Sequence, residues 1–117
     1  MRLRSALAAA LGAALLLVAV PASVSASAAA SGRFSYAYVT VEGNEASGFL
    51  NDPADGQCFT LPGVGQENPE PGHSPRNRTD AWATVFGDTG CEGPSFRLRP
   101  YTGGASERLK VRSVVFG

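Results

Sequence analysis

Glycine and proline constrain this chain more than any other feature: of its 14 glycines and 8 prolines, only Gly12 and Pro21 fall before residue 27. Interruptions this frequent exclude long helices and predict short strands joined by turns. The overall hydrophobic content of 44% overstates the core this part of the chain can bury, because apolar residues crowd into the first 26 positions. There Met1, Arg2 and Arg4 form a positive start, residues 6–20 an unbroken apolar run, and Pro21 opens a tail of small residues. The pattern predicts a secretory signal peptide over 1–26, with cleavage favoured after Ala26 or Ala28 and open as late as Ala30. As a helix the apolar run would rise only about 22 Å, short of a bilayer. The expected product is one small secreted domain, monomeric and with no membrane span.

Cys58 and Cys91 are the only cysteines, and in an exported chain two cysteines pair in one way. A disulfide closing a loop of about 34 residues stabilises a small domain by roughly 3–4 kcal/mol in the chain-entropy model. A zinc site is not expected, since zinc wants four ligands and His73 is the only histidine. Charge is segregated: Arg33 is the only basic residue over 27–75, whereas Arg76, Arg78, Arg97, Arg99, Arg108, Lys110 and Arg112 follow. The two halves are expected to complement each other on folding.

A repeat runs through the middle of the chain. Phe49, Asp55, Gly56, Phe59 and Leu61 recur 37 positions later as Phe86, Glu92, Gly93, Phe96 and Leu98. In the second copy, residues 83–86 form a β-branched and aromatic run, residues 87–90 a turn, and residues 95–99 an alternating strand with Phe96 and Leu98 on one face. Residues 108–116 read as a closing strand whose end, Val114-Val115-Phe116, breaks the alternation, by burial on both sides or a bulge near Ser113. Residues 57–61 are the matching strand of the first copy, and 63–75 a long proline-rich loop. Residues 34–42 are the clearest isolated strand, with Phe34, Tyr36 and Tyr38 on one face. The fold class expected is all-β, a two-sheet sandwich with one disulfide.

Phe86, Cys91, Glu92 and Gly93, with Ser113-Val114-Val115-Phe116 closing the unit, resemble the Greek-key motif of the βγ-crystallins. That pattern is an aromatic, a spacer, an aromatic, any residue and Gly, with a Ser in the last strand. The resemblance implies that Gly93 permits a fold-over between the first two strands and that Ser113 ties it down. Phe49 and Gly56, with Thr79 in the serine's place, look like a weaker first copy. It further implies a domain of two motifs, 46–81 and 82–117, preceded by a segment 27–45 that adds a strand. The family's calcium-binding segment is matched by 74–79 and 108–113, where arginines stand among the positions that need carboxylates. No metal and no cofactor is therefore expected.

Catalytic chemistry is sparse, and no enzyme is expected. His73 adjoins Ser74 without an acid to orient it. Asp52 with Asp55, and Glu67 with Glu70, read as turn residues rather than an acid–base pair. Asn77-Arg78-Thr79 matches a glycosylation sequon, a weak signal. Two surfaces remain. Arg97, Arg99, Arg108, Lys110 and Arg112 alternate along two expected strands, forming one patch if those strands are neighbours. Such a patch is either a solvated face that discourages edge pairing or a binding surface for an anionic polymer. Nucleic acid is not expected, because no aromatics interleave for base stacking. The second surface is the 63–75 loop, where Glu67, Asn68, Pro69, Glu70 and Pro71 would face a protease if the loop is rigid. The leading expectation is a non-enzymatic module acting by surface binding. A metalloproteinase inhibitor using the loop is the alternative, and a killer-toxin-like protein the second alternative; both rest on likeness of fold.

Overall fold

The computed structural model describes residues 28–117, so the signal peptide expected over 1–26 lies outside the described residues. The elements are β1 (Gly32–Val39), β2 (Glu45–Asn51), β3 (Cys58–Thr60), β4 (Gly72–Thr79), β5 (Ala83–Phe86), a single 3-10 turn (Thr89–Cys91), β6 (Ser95–Leu98), β7 (Gly103–Gly104), β8 (Lys110–Val111) and β9 (Ser113–Phe116). They build two antiparallel sheets. Sheet A runs β2-β1-β4, with β7 and β8 both pairing along the far edge of β4. Sheet B runs β3-β9-β5-β6. The chain is an all-β sandwich.

The first run is β1 to β4 and the second β5 to β9, with β8 following β7 in sheet A, and in each run the last strand returns to lie beside the first: β4 beside β1, β9 beside β5. The third strand of each run crosses over. β3 pairs with β9 in sheet B, and β7 pairs with β4 in sheet A. The disulfide Cys58–Cys91, with Cα atoms 6.0 Å apart, fastens β3 to the 3-10 turn of the second run.

Alternation sets the inner faces. Phe34 and Tyr36 of β1 turn inward to meet Val85, Leu98, Val114 and Phe116 of sheet B, with Leu61, Val64 and Val111 closing the interior. Phe34 and Phe116 meet edge to face at 5.5 Å, and Phe59 meets Phe116 at 6.3 Å. Tyr36 lies between Gly48 and Gly72, where any Cβ would collide with or crowd its ring, and its hydroxyl donates to the Pro62 carbonyl. Burial pushes the Tyr36 phenol above its ordinary value of 10.0, with neighbouring Tyr38 adding to the effect.

Three expectations change. The strand expected over 34–42 is not an addition to the domain: β1 sits between β2 and β4, so the first four-strand run spans 32–79 rather than 46–81. The end of the loop expected over 63–75 is strand β4. Its glycine, proline and polar residues hide it, and a bulge lets it form. Ser74 and Pro75 together face Tyr36 across the register shift, so the missing proline N–H falls where the ladder is already broken. Finally, the strand expected over 108–116 is two strands in different sheets, with Arg112 at the corner between them.

Replacing Cys58 and Cys91 together by Ala should lower unfolding free energy by roughly 3–4 kcal/mol, read from urea melts. The raised phenol of Tyr36 has a definite sign. The unfolded chain gives up this proton near pH 10.0 while the folded chain keeps it. Stability is therefore full below that pH and falls as pH rises toward the folded value. Tyr36→Phe should make the urea midpoint fall less steeply above pH 10, and an unchanged slope would refute this assignment.

Candidate functional site

The loop between β3 and β4 is held from within. Leu61 and Val64 are buried in the core. Asn68 is buried too, its Nδ2 donating to Val39 O at 2.8 Å and Gly63 O at 3.0 Å while its Oδ1 accepts the Glu70 N–H. The guanidinium of Arg112 completes the frame. Nη1 donates to Val64 O (3.0 Å), Gly65 O (2.9 Å) and Asn68 O (2.9 Å), and Nη2 to Pro69 O (3.1 Å). Of the residues expected to face a partner, Glu67, Pro69 and Glu70 are exposed and Pro71 is half-buried. Asn68 is an internal strut.

The five cations expected to form one patch are dispersed. β5 separates β6 from β9, so Arg97 and the corner at Arg112 are not on neighbouring strands. Arg97 lies over the Trp82 ring, 4.3 Å from its centroid, on the outer face of sheet B. Arg99 follows β6, and its carbonyl accepts from Asn77 and from the Gly103 N–H. Lys110 is on β8 in sheet A, opposite His73, with its ammonium on the Glu107 carbonyl at 2.7 Å. Arg108 borders an apolar depression of about 280 Å³ lined by Phe96, Ala105, Ser106 and Leu109. Phe96 follows the inward alternation of Leu98 but stands at the open edge of the interior, 52% exposed.

A basic surface that sequence reasoning missed occupies the outer face of sheet A. Arg33 of β1 stands directly opposite Arg78 of β4, and Arg76 stands opposite Ser35. Arg33 donates from Nε to Asn51 Oδ1 at 3.0 Å and lies over the Phe49 ring, 4.3 Å from its centroid. Arg78 donates from Nη1 to Tyr101 O at 3.1 Å. Phe49 is 47% exposed and Tyr101 61%. The signal was the alternation Arg76-Asn77-Arg78, which reads as strand only once Pro75 is known to sit in a bulge.

The residues of the repeated motif occupy different settings. Ser113 Oγ donates to Asp88 O and accepts the Cys91 N–H at 2.9 Å, pinning the connection between β5 and β6. Phe86 ends β5, and Gly93 lies in the same connection with φ +83°, where a Cβ would meet the Asp88 carboxylate. The first copy is not its counterpart in space. Phe49 lies in β2, the second strand of its hairpin, and Gly56, at φ +74°, turns the chain from sheet A to sheet B. Thr79 bonds to Asn77 and Ala81, not to that turn. Asn77 is fully buried and its Nδ2 donates to the carbonyls of Ala81, Leu98 and Arg99, so the folded chain presents no free amide at the sequon.

His73 and Ser74 do meet. Ser74 has φ +54°, which turns the chain at the bulge and brings its Oγ to 2.8 Å from His73 Nδ1. His73 also lines a shallow depression of about 350 Å³ with Ala37, Tyr38, Glu45, Ala46 and Ser47. Among the described residues, no three His, Cys, Asp or Glu side chains gather as metal ligands would, and no helix is long and apolar enough to cross a membrane.

Arg112→Ala should release the loop, because four carbonyls lose a charged donor together. Amide exchange over residues 64–70 should accelerate far more than in the sheet amides of β5 and β9, whose protection should fall only by the loss of global stability, about 2–4 kcal/mol. Comparison with protein-family models, curated proteins and solved structures finds no match, so no relative lends this chain a function.

Proposed function

We propose that this chain is a secreted, non-enzymatic β-sandwich, βγ-crystallin-like in its second half, that acts by binding a partner through its surface. The observation that carries this reading is the pairing of exposed aromatic rings with arginines on both outer faces: Phe49 with Arg33 on sheet A, Trp82 with Arg97 on sheet B. Such groups on rigid strands present large, ordered contact area at low entropic cost. The crystallin likeness draws support from Ser113, whose hydroxyl holds the β5–β6 connection, which contains Gly93, through Asp88 O and the Cys91 N–H. Export draws support from the disulfide.

The test is a panel of extracellular polymers and proteases titrated against the labelled domain, with Trp82, the single tryptophan, reporting contact at sheet B. Saturable binding of one class, with the ligand chemically unchanged afterwards, is the expected result. Turnover of the ligand, or no saturable binding anywhere in the panel, would overturn it.

The loop supports a second reading, a protease inhibitor, because Arg112 and Asn68 hold it in one conformation with Glu67, Pro69 and Glu70 outward. Stoichiometric inhibition of one protease class, lost when residues 66–71 become a Gly/Ser linker, would establish it; a panel of fully active proteases would remove it.

Contacts at the start of the described chain favour cleavage after Ala26. Ala28 O accepts the Asp55 N–H, Ala30 donates its N–H to Pro53 O, and Ala30 is buried. Cleavage after Ala26 keeps both bonds, cleavage after Ala28 loses the first, and cleavage after Ala30 loses both. Intact-mass measurement of the exported protein should therefore find Ser27 first.

A further inference from the structure

We propose that the outer face of sheet A, through Arg33, Arg76 and Arg78 with Tyr101 at its border, binds an acidic polysaccharide. This rests on the surface-binding reading and names its partner class.

Arg33 and Arg78 face each other directly across β1 and β4, and Arg76 lies two residues further along β4 on the same face. Like charges in direct cross-strand register destabilise a sheet. Among the described residues, neither arginine of the facing pair has a carboxylate partner. Arg33 rests on an amide oxygen and a phenyl face, and Arg78 on a backbone carbonyl. The acids nearest in sequence, Asp52 and Asp80, each accept a backbone N–H through Oδ1, from Gly32 and Ser31. Arg76 lies across β7, where Gly104 leaves room: a Cβ there would come within 2.6 Å of its Nη1. The guanidinium groups of Arg33 and Arg78 are thus held by neutral neighbours, with Arg76 beside them over Gly104. An arrangement that lowers stability while fixing cations in order is what an anionic partner would require.

The shape of the face selects the partner. Arg33, Arg76 and Arg78 are all exposed, so a single small anion there would stay mostly hydrated. A polymer carrying repeated carboxylates or sulfates engages several arginines at once and releases counterions in doing so. Arginine binds each such group through paired N–H donors. Tyr101, largely exposed beside Arg78, offers a ring face on which the C–H side of a sugar can pack. A run of stacked bases is disfavoured, because the other aromatic on this face, Phe49, already carries the Arg33 guanidinium.

The experiment measures binding of the mature, oxidised domain to dextran sulfate and to polygalacturonate, with neutral dextran and oligothymidylate as comparisons. Wild type should bind both acidic polysaccharides with an affinity that falls steeply with salt, and should not bind neutral dextran. The double variant Arg76→Gln, Arg78→Gln should weaken binding about tenfold or more and flatten the salt dependence. The pair Arg99→Gln, Arg108→Gln, which removes the same charge outside the strands of sheet A, should stay within about twofold of wild type, with Trp82 fluorescence unmoved by ligand. Arg78→Gln alone should melt no lower than wild type, since it relieves the facing pair. Equal loss from both double variants, a lower melting temperature for Arg78→Gln, or tighter binding of oligothymidylate at equal charge would each overturn the proposal. If neither acidic polysaccharide binds while another member of the wider panel saturates, this proposal fails and surface binding stands. If nothing saturates, both fail.

Discussion

The corner at Arg112 is the constraint on which most of this architecture depends. Here the chain leaves sheet A after Val111 and enters sheet B at Ser113. Its backbone N–H reaches Phe86 O and its carbonyl accepts the Leu61 N–H, so the corner is bonded to both runs of strands. Its side chain then organises the long connection between β3 and β4, which has no ladder of its own. Only a planar group with several fixed donors can serve four carbonyls at once; lysine, a point charge with three rotating donors, would not reproduce it. A residue that alternation would assign to a solvated basic stripe is thereby half-buried and committed to holding the loop.

Two other polar side chains repeat this logic in the interior. Asn77 gathers carbonyls from beyond β4 and from the end of β6, while its oxygen takes the Thr79 N–H and hydroxyl. Ser113 does the same for the turn between β5 and β6. A buried amide or hydroxyl without partners would cost more than it returns, so each is placed where several backbone groups converge. The apolar interior supplies the bulk of the driving force, and these groups select one arrangement of turns over its competitors.

The apolar alternation was the most legible part of the sequence. Phe34, Tyr36 and Tyr38 on one face, and Phe96 with Leu98 on one face, are periodic statements, and period two survives without any knowledge of neighbours. The disulfide was legible because two cysteines leave no choice. Strand β4 was not legible, since Gly-His-Ser-Pro-Arg-Asn-Arg-Thr lacks apolar residues at strand spacing. Its register comes from partners far away and its proline depends on a bulge no local rule supplies. The candidate surfaces suffered from the same blindness. Which arginines share a face is a property of strand order, and strand order is set by the exchange of β3 and β7, which leaves no trace in spacing. The repeat at 37 residues illustrates the hazard. Similar turns, both with a positive-φ glycine, serve a hairpin in one place and a crossing between sheets in the other.

That exchange also dictates the order of events as the chain acquires its structure. β3 emerges early, yet its partner β9 is nearly the last segment to arrive. Until it does, β3 has no ladder, and the inner face formed by Phe34 and Tyr36 lacks Phe116, the ring that caps it. Contacts so distant along the chain close slowly, and unpaired strand edges invite pairing with other molecules. A chain cut short by even the last five residues would therefore be a sticky, incomplete sheet rather than a slightly smaller domain. Completion of the sandwich is decided by β9.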